Sequence, residues 1–373
     1  MQLRSIQALR GIAAVLVMLS HLHGVEARYS EEAPILSSAW IFGVSGVDLF
    51  FVISGFIMVW VAGDLAASGR QAGAFLFARI CRIFPVWWLF LGLMSLYFFI
   101  AYGAPWDQEV LTRHQISGAE HLLKSIFLIP HEALPVLQLG WTLVHEMYFY
   151  VVFALILLLP PRFRVPAFAA WAALIAASIY FQWTGFYADN LVSLVLFPMT
   201  LEFLMGVAVG LVIKRGITGF RWIALFTGLF WLIIASAQVD FVSLNQQLPT
   251  LRTLAFGPAF ALILYGLVAI EQRGQLMARI PDALVTLGDW SYSLYLCHLL
   301  VISAVARVFF PIFGGSGYID NATFLLLSIG GAIAISGLAY RLFEQPVSQH
   351  TKALKHRLFL ANKSPSPTIN RKF

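Results

Sequence analysis

The stretch that decides the fold is "LRGIAAVLVMLSHLHG", residues 9–24, an apolar run carrying Arg10 at one end and His21 near the other. Its basic start is that of a signal peptide, but no A-x-A cleavage site follows and the chain continues into further apolar runs. The segment therefore reads as a first, retained span. The whole chain has the same character: 60% of its 373 residues are hydrophobic and only 11% charged, with a mean hydropathy of +0.81. Such a composition predicts an all-α, polytopic integral membrane helix bundle. At roughly 20 apolar residues per crossing, about ten transmembrane helices are expected, near residues 6–24, 41–62, 83–103, 140–159, 166–183, 191–213, 220–237, 251–270, 284–310 and 323–343.

The basic residues give the orientation. With the N-terminus inside, cytoplasmic segments hold Arg4, Arg10, Arg70, Arg79, Arg82, Arg162, Arg164, Lys214, Arg215 and most of the remainder, whereas Arg28, Arg113, Lys124 and Arg252 lie outside. This asymmetry predicts cytoplasmic termini and an even number of spans. It also accounts for the net charge of +6 without a nucleic-acid partner. Cys81 and Cys297 support neither a disulfide framework nor a metal site. The longest outside connection, residues 104–139, contains "PWDQEVLTRHQISGAEHLL" and is expected to cap the bundle. Residues 346–373 form a basic cytoplasmic tail, expected to be flexible and to lie against anionic lipid.

Ionisable groups inside a span are costly and face a cavity or a partner. Here they are His21, Asp48, His145, Glu146, Glu202 and His298. Arg10 and His21 are eleven residues apart, close to three helical turns, so they share a face about 16 Å apart along the axis. A snorkelling topology residue and an interhelical hydrogen bond are the competing readings of these two. In "GVSGVDLFFVISGF", residues 43–56, Asp48 needs a histidine or arginine partner, while the glycines suit close packing. In "WTLVHEMYFY", residues 141–150, Glu146 shares a face with Thr142 and Tyr150, and Trp141 and Tyr148 are also interfacial aromatics. Ser291, Tyr295 and His298 form an i, i+4, i+7 stripe in "LGDWSYSLYLCHLL", serving either structure or chemistry. In "FARICRIFP", Arg79 and Arg82 share a face that suits phosphate oxygens as well as topology. Arginines at the cytoplasmic mouth and histidines with carboxylates in the outer half point to a phosphate-bearing donor reaching through the protein to an acceptor outside.

In order along the chain, "LRGIAAVLVMLSH", "GVDLFFVISGFIM", "RICRIFPVWW", "WTLVHEMYFY", "EFLMG", "SYSLYLCH" and "YRLFEQP" resemble acyltransferase family 3, the bacterial membrane O-acyltransferases, and especially the exopolysaccharide-acetylating branch. The resemblance covers about residues 4–346. It implies that residues 1–345 are a transmembrane acyltransferase domain in the bacterial inner membrane, which moves an acyl group, usually acetyl from cytoplasmic acetyl-CoA, to a hydroxyl of an exported or cell-surface sugar. It makes His21 the catalytic histidine, with Arg10 beside it, and matches Arg79 and Arg82 to the family's R-x-x-R. The expected mechanism has His21 as general base, oriented by Glu146 or by Asp48. Arg10, Arg79 and Arg82 then hold the CoA phosphates, and His298, Trp141, Tyr148 and Ser291 line the acceptor side. Acyl-histidine formation is the other route. Acetyl-CoA is the cosubstrate, no metal is expected, and the partners are the carbohydrate acceptor, membrane lipid and polysaccharide assembly proteins. A secondary transporter or flippase for a sugar-linked or anionic solute would also need intramembrane His and Glu, and a structural subunit of an export machine would tolerate loss of His21.

Overall fold

A computed structural model describes residues 3–30, 34–183, 190–238, 249–275, 280–314 and 317–359. The described residues carry helices and turns throughout. Helix α1 runs Arg4–Tyr29, and a 3-10 segment, Ser38–Ser45, leads into α2, Gly46–Ala62. Helix α3 is Gly69–Tyr102, and α4 (Gln108–His114) and α5 (Gly118–Phe127) build the expected cap. Then follow α6 (Gly140–Leu157), α7 (Pro161–Tyr180), the short α8 (Leu191–Val195), α9 (Thr200–Lys214) and α10 (Arg221–Gln238). Helices α11 (Pro249–Gln272), α12 (Asp282–Phe313) and α13 (Tyr318–Ala339) complete the bundle, and a π turn at Tyr340–Glu344 joins α13 to α14, Gln345–Phe359.

Among the described residues, nine helical segments are long and apolar enough to cross a membrane, and the apolar helix Arg221–Ala237 is slightly shorter. The protein is thus a multi-pass, all-α membrane protein. Two boundaries differ from the hydropathy reading. Helix α3 begins at Gly69 rather than near residue 83, because Ser68 caps it by accepting the Gln71 N–H at 3.3 Å and nothing before Pro85 interrupts its hydrogen bonding. Arg79 and Arg82 consequently stand inside a helix. At the other end, α14 continues to Phe359, whose ring packs 5.7 Å from that of Phe77, so the segment expected to be a flexible tail is helical that far. Residues 360–373 lie outside the described residues.

Helix α1 is tied at both ends by buried carboxylates, one from a distant helix and one of its own. Glu271 of α11, 3% exposed, accepts the backbone N–H groups of Arg4 at 2.7 Å and Ser5 at 2.9 Å, together with the Ser5 hydroxyl. These are orphan donors of a helix start, and the carboxylate also meets the positive end of the helix dipole. At the far end Glu26 accepts from Ile35 and Leu36, at 2.8 and 3.0 Å, folding the next loop back onto the helix.

Helices α2 and α9 cross at backbone contact. A Cβ on Gly55 would overlap the Phe203 carbonyl oxygen, and one on Gly206 would overlap the Val52 carbonyl oxygen. In lipid, where water drives no further burial, such close approach supplies much of the helix association. Beside this crossing, Phe203 stacks between Phe51 and Phe149, with ring centres 4.5 and 4.2 Å away.

Asp48 finds the partner its burial demands in Arg252 of α11. Both Nε and Nη2 of that arginine bind the carboxylate, at 3.0 and 2.7 Å, and Nη2 also donates to the Val44 carbonyl at 2.8 Å. Arg252 is 6% exposed and Asp48 fully buried.

Two stability outcomes are expected. Gly206→Val should cost at least about 3 kcal/mol, since the clash is with backbone that cannot rotate away; Gly92→Val, at a position with no neighbour within 4 Å, should leave the melting temperature in detergent unchanged. Asp48→Asn or Arg252→Met alone should cost about 3–5 kcal/mol by stranding a buried charge, and the double variant should recover a large part of that loss in the same thermal melt.

Candidate active site

Two chambers lie along the axis of the bundle. The first, of about 80 Å³, is walled by α1, α2, α3, α6 and α12 and is lined by Arg10, Arg79 and Arg82. These three reach it from α1 and α3 with graded exposure: Arg10 is buried, Arg79 intermediate and Arg82 exposed. Arg10 donates to the Gln7 side chain at 3.2 Å. The Arg79 guanidinium lies 5.8 Å from the Phe75 ring centre and 5.9 Å from that of Tyr150, while its Nε is buried without a hydrogen-bond partner. Among the described residues none of the three forms an ion pair. Three guanidiniums in one chamber, with Glu146 near them but in direct ion pair with none, suit an anion with several oxygens.

The same chamber contains Glu146, Tyr150 and Ser54. The Tyr150 hydroxyl donates to the Glu146 carboxylate one helical turn away. Ser54 of α2 lies 3.2 Å from both groups. Ser291, fully buried with a hydroxyl that has no partner, faces this chamber too, on the side opposite to the one the sequence suggested. Glu146 is therefore engaged among the arginines, and Asp48 is engaged by Arg252. Neither carboxylate is hydrogen-bonded to His21.

The second chamber, of about 610 Å³, lies beneath the cap and is lined by His21, His145, Trp141, His121 and His131 among others. Burial holds the cap imidazoles His121 and His131 below their ordinary 6.5, so both are neutral hydrogen-bonding groups at neutral pH. The lysine and arginines that line it are paired: Arg113 with Glu109 at 2.7 Å, Lys124 with Glu120 at 2.8 Å, and Arg252 with Asp48. Between the chambers stands a small polar septum. Thr142 and Tyr295, which line the first, meet at 2.9 Å, and both donate to the carbonyl of Leu139, which lines the second, at 3.0 and 3.2 Å.

His21 sits on the capped side of that septum. Its Nδ1 lies 2.9 Å from the Val17 carbonyl and 3.3 Å from Nε2 of His298, and the two rings are 5.1 Å apart at 54°. Arg10 and His21 thus occupy different chambers from one helix face, as their eleven-residue spacing requires. Trp141 meets His145 edge-on at 5.6 Å. Tyr148 lines neither chamber: its ring packs edge-on against Trp171 at 5.9 Å and its hydroxyl donates to the Val195 carbonyl at 3.2 Å. Glu202, wholly buried, lines neither chamber as well.

Ser54, His121 and His131 are site-lining groups that sequence reasoning did not single out, and Thr142, Tyr150 and Tyr295 were placed on the faces of Glu146 and His298 without a role. For Tyr150 the signal was present, four residues from Glu146 on one helix face. Ser54 and the cap histidines gave none, because only tertiary packing brings them to the chambers.

No solved structure matches the chain. The exopolysaccharide production protein ExoZ of Rhizobium meliloti (strain 1021) is 32% identical over 329 residues, covering 86% of this chain and 95% of that protein. Nodulation protein 10 of Rhizobium leguminosarum bv. viciae is 26% identical over 95% of both chains. The acyltransferase MdmB of Streptomyces mycarofaciens is 25% identical over 92% of this chain and 91% of its own. The family described as an acyltransferase domain matches residues 3–341, which takes in both chambers and every helix that lines them, and the chain belongs to that family of membrane O-acyltransferases.

Proposed function

We propose that the protein moves an acetyl group from cytoplasmic acetyl-CoA to a hydroxyl of an exopolysaccharide or its lipid-linked precursor, in the inner membrane of a bacterium. The observation that carries this reading is the separation of the two chambers. Three guanidiniums outnumber the one carboxylate, Glu146, in the first, His21 stands in the other, and a septum of Thr142 and Tyr295 divides them. The basic bias of the arginine side supports an orientation toward the cytoplasm, where acyl-CoA is available. Likeness to an exopolysaccharide production protein supports a glycan acceptor. Trp141 and the neutral imidazoles suit hydroxyl-rich sugars, through stacking and hydrogen bonding.

On this reading Arg82, Arg79 and Arg10 form a graded series from the surface inward that binds the CoA phosphates. The apolar walls, Phe50, Phe51, Ile57 and Met58 among them, accept the pantetheine arm. Its thioester reaches the septum, and the sugar hydroxyl comes from the capped side. His21 takes the hydroxyl proton as the oxygen attacks the acyl carbon, and returns it to the departing CoA sulfur. The carbon–oxygen bond forms, the carbon–sulfur bond breaks and no proton is left over. Glu146, fixed by Tyr150 and Ser54, sets the charge of the donor chamber. The anchored, basic C-terminal helix is placed against the anionic cytoplasmic leaflet.

Purified protein in liposomes, given acetyl-CoA and the host's exopolysaccharide after alkaline de-O-acetylation, should O-acetylate the polymer. His21→Ala should lower kcat by about 10²–10⁴-fold, the range of a lost general base, with little change in KM for acetyl-CoA; full activity in this variant would refute the role. Arg79→Gln and Arg82→Gln should each raise KM for acetyl-CoA about tenfold, corresponding to one charge-assisted contact of about 1.4 kcal/mol. Unchanged saturation by the donor would leave those arginines to topology alone.

A further inference from the structure

Both histidines at the capped end are tied to their own helices in the same way. His21 Nδ1 is 2.9 Å from the carbonyl of Val17, four residues back, and His298 Nδ1 is 3.1 Å from the carbonyl of Leu294, also four residues back. A carbonyl oxygen only accepts, so each Nδ1 must carry the hydrogen. In the neutral rings each Nε2 is then a bare lone pair. The 3.3 Å contact between the rings joins Nδ1 of His21 to Nε2 of His298. That pairing has one consistent assignment: the His21 Nδ1–H is shared between the Val17 carbonyl and the His298 lone pair.

Two consequences follow. His21 is locked in the tautomer that leaves Nε2 unprotonated, and Nε2 has no recorded partner in its own helix, on a ring that lines the capped chamber. His298, fully buried on α12, offers its own lone pair to the one N–H that acidifies when His21 becomes a cation. In hydrolase triads a carboxylate does this work. Here no carboxylate is hydrogen-bonded to either ring among the described residues: Glu146 is held by Tyr150 and Ser54, and Asp48 by Arg252. The titratable neighbours recorded against His298 are His21 itself and the Tyr295 ring, 6.0 Å away. His145 provides the contrast. It has the same anchor, to the Trp141 carbonyl at 2.9 Å, but its Nε2 is buried without a partner and its ring packs on Phe197 at 4.5 Å.

We propose that His298 is the positioning residue of the transfer reaction, fixing the orientation of His21 through the Nδ1–H···Nε2 contact and sharing the positive charge that His21 acquires. This rests on the proposed role of His21 as base. When the sugar hydroxyl gives its proton to His21 Nε2, the charge spreads along the N–H···N link into the His298 ring. His298 gains no proton overall. His21 Nε2 then passes its proton to the CoA sulfur, and both rings return to their starting tautomers. A neutral imidazole suits this place because a buried carboxylate beside His21 would add a charge whose desolvation must be offset in the middle of a bilayer.

The test compares wild type with His298→Leu and His298→Gln in liposomes, using acetyl-CoA and de-O-acetylated host exopolysaccharide, with kcat and KM read from pH 5 to 9. His298→Leu should lower kcat at least 100-fold, leave KM for acetyl-CoA within twofold, and move the acid limb of the pH profile. His298→Gln, whose amide oxygen can accept the same N–H, should regain at least tenfold of that loss. Nitrogen-15 spectra of histidine-labelled protein should show the Nδ1–H form of His21 in both proteins, held by the Val17 carbonyl, with its Nδ1–H resonance shifted in His298→Leu where the second acceptor is gone. Wild-type kcat and pH profile in a folded His298→Leu, or equal losses in the Gln and Leu variants, would overturn the proposal. If wild type itself transferred no acetyl group, the functional reading would fall, and the nitrogen-15 spectra would still decide the pairing.

Discussion

The crossing of α1 over α12 is the contact on which the remaining structure depends. A Cβ on Gly288 would overlap the backbone carbonyl of Gln7, and one on Gly11 would press on Gly288 and Leu284 at 3.1 Å, so the two backbones touch. Backbone contact near one end of two rigid helices sets how they lie along their length. One turn beyond the crossing, Arg10 and Ser291 enter the arginine chamber; three turns further along α1, His21 meets His298. The two ends of the site are therefore parts of a single helix pair, and the distance between the arginine chamber and the histidine pair is a helix length, not a loop geometry.

Buried polar groups fix the other elements around that pair. A soluble protein can leave a helix start to water, but in lipid each orphan N–H needs a partner, and Glu271 supplies it for α1. The Asp48–Arg252 pair does the same for charge, joining α2 to α11 with two interactions that fix orientation as well as distance. Neither pair lines the arginine chamber, although Arg252 borders the capped one. They hold the scaffold so that the groups without partners, Arg79 Nε and the Ser291 hydroxyl among them, can be left without partners where a substrate would meet them.

Much of the fold was legible because a membrane makes composition and period decisive. Apolar runs located the helices, and eleven residues between Arg10 and His21 put the two on one face. The start of α3 was not legible: hydropathy scores the arginines as an exit from the bilayer, whereas helical hydrogen bonding continues past them from the Ser68 cap. Pairings were legible only within one turn. Glu146 and Tyr150 are four residues apart and find each other; His21 and His298 are 277 residues apart, and no spacing rule connects them. The same limit explains the assignment of Glu146 to His21. In a linear reading the carboxylate at comparable depth is the natural partner for a histidine, and only the packing of α2 against α6 shows it committed to Ser54 and Tyr150.

The septum sharpens what the two chambers can do together. Thr142, Tyr295 and the Leu139 carbonyl are in mutual contact at 2.9, 3.0 and 3.2 Å, and the two hydroxyl hydrogens make two of these contacts hydrogen bonds at a time, each neutral and each worth about 1 kcal/mol net. On the proposed function these contacts must part for the thioester to meet His21, and a single charge-assisted phosphate contact is stronger than either hydrogen bond. Donor binding and access to His21 are then linked by the same residues, with Tyr295 on α12 one turn from His298. On that reading an acyl donor that fills the arginine chamber displaces the contact that separates its thioester from His21.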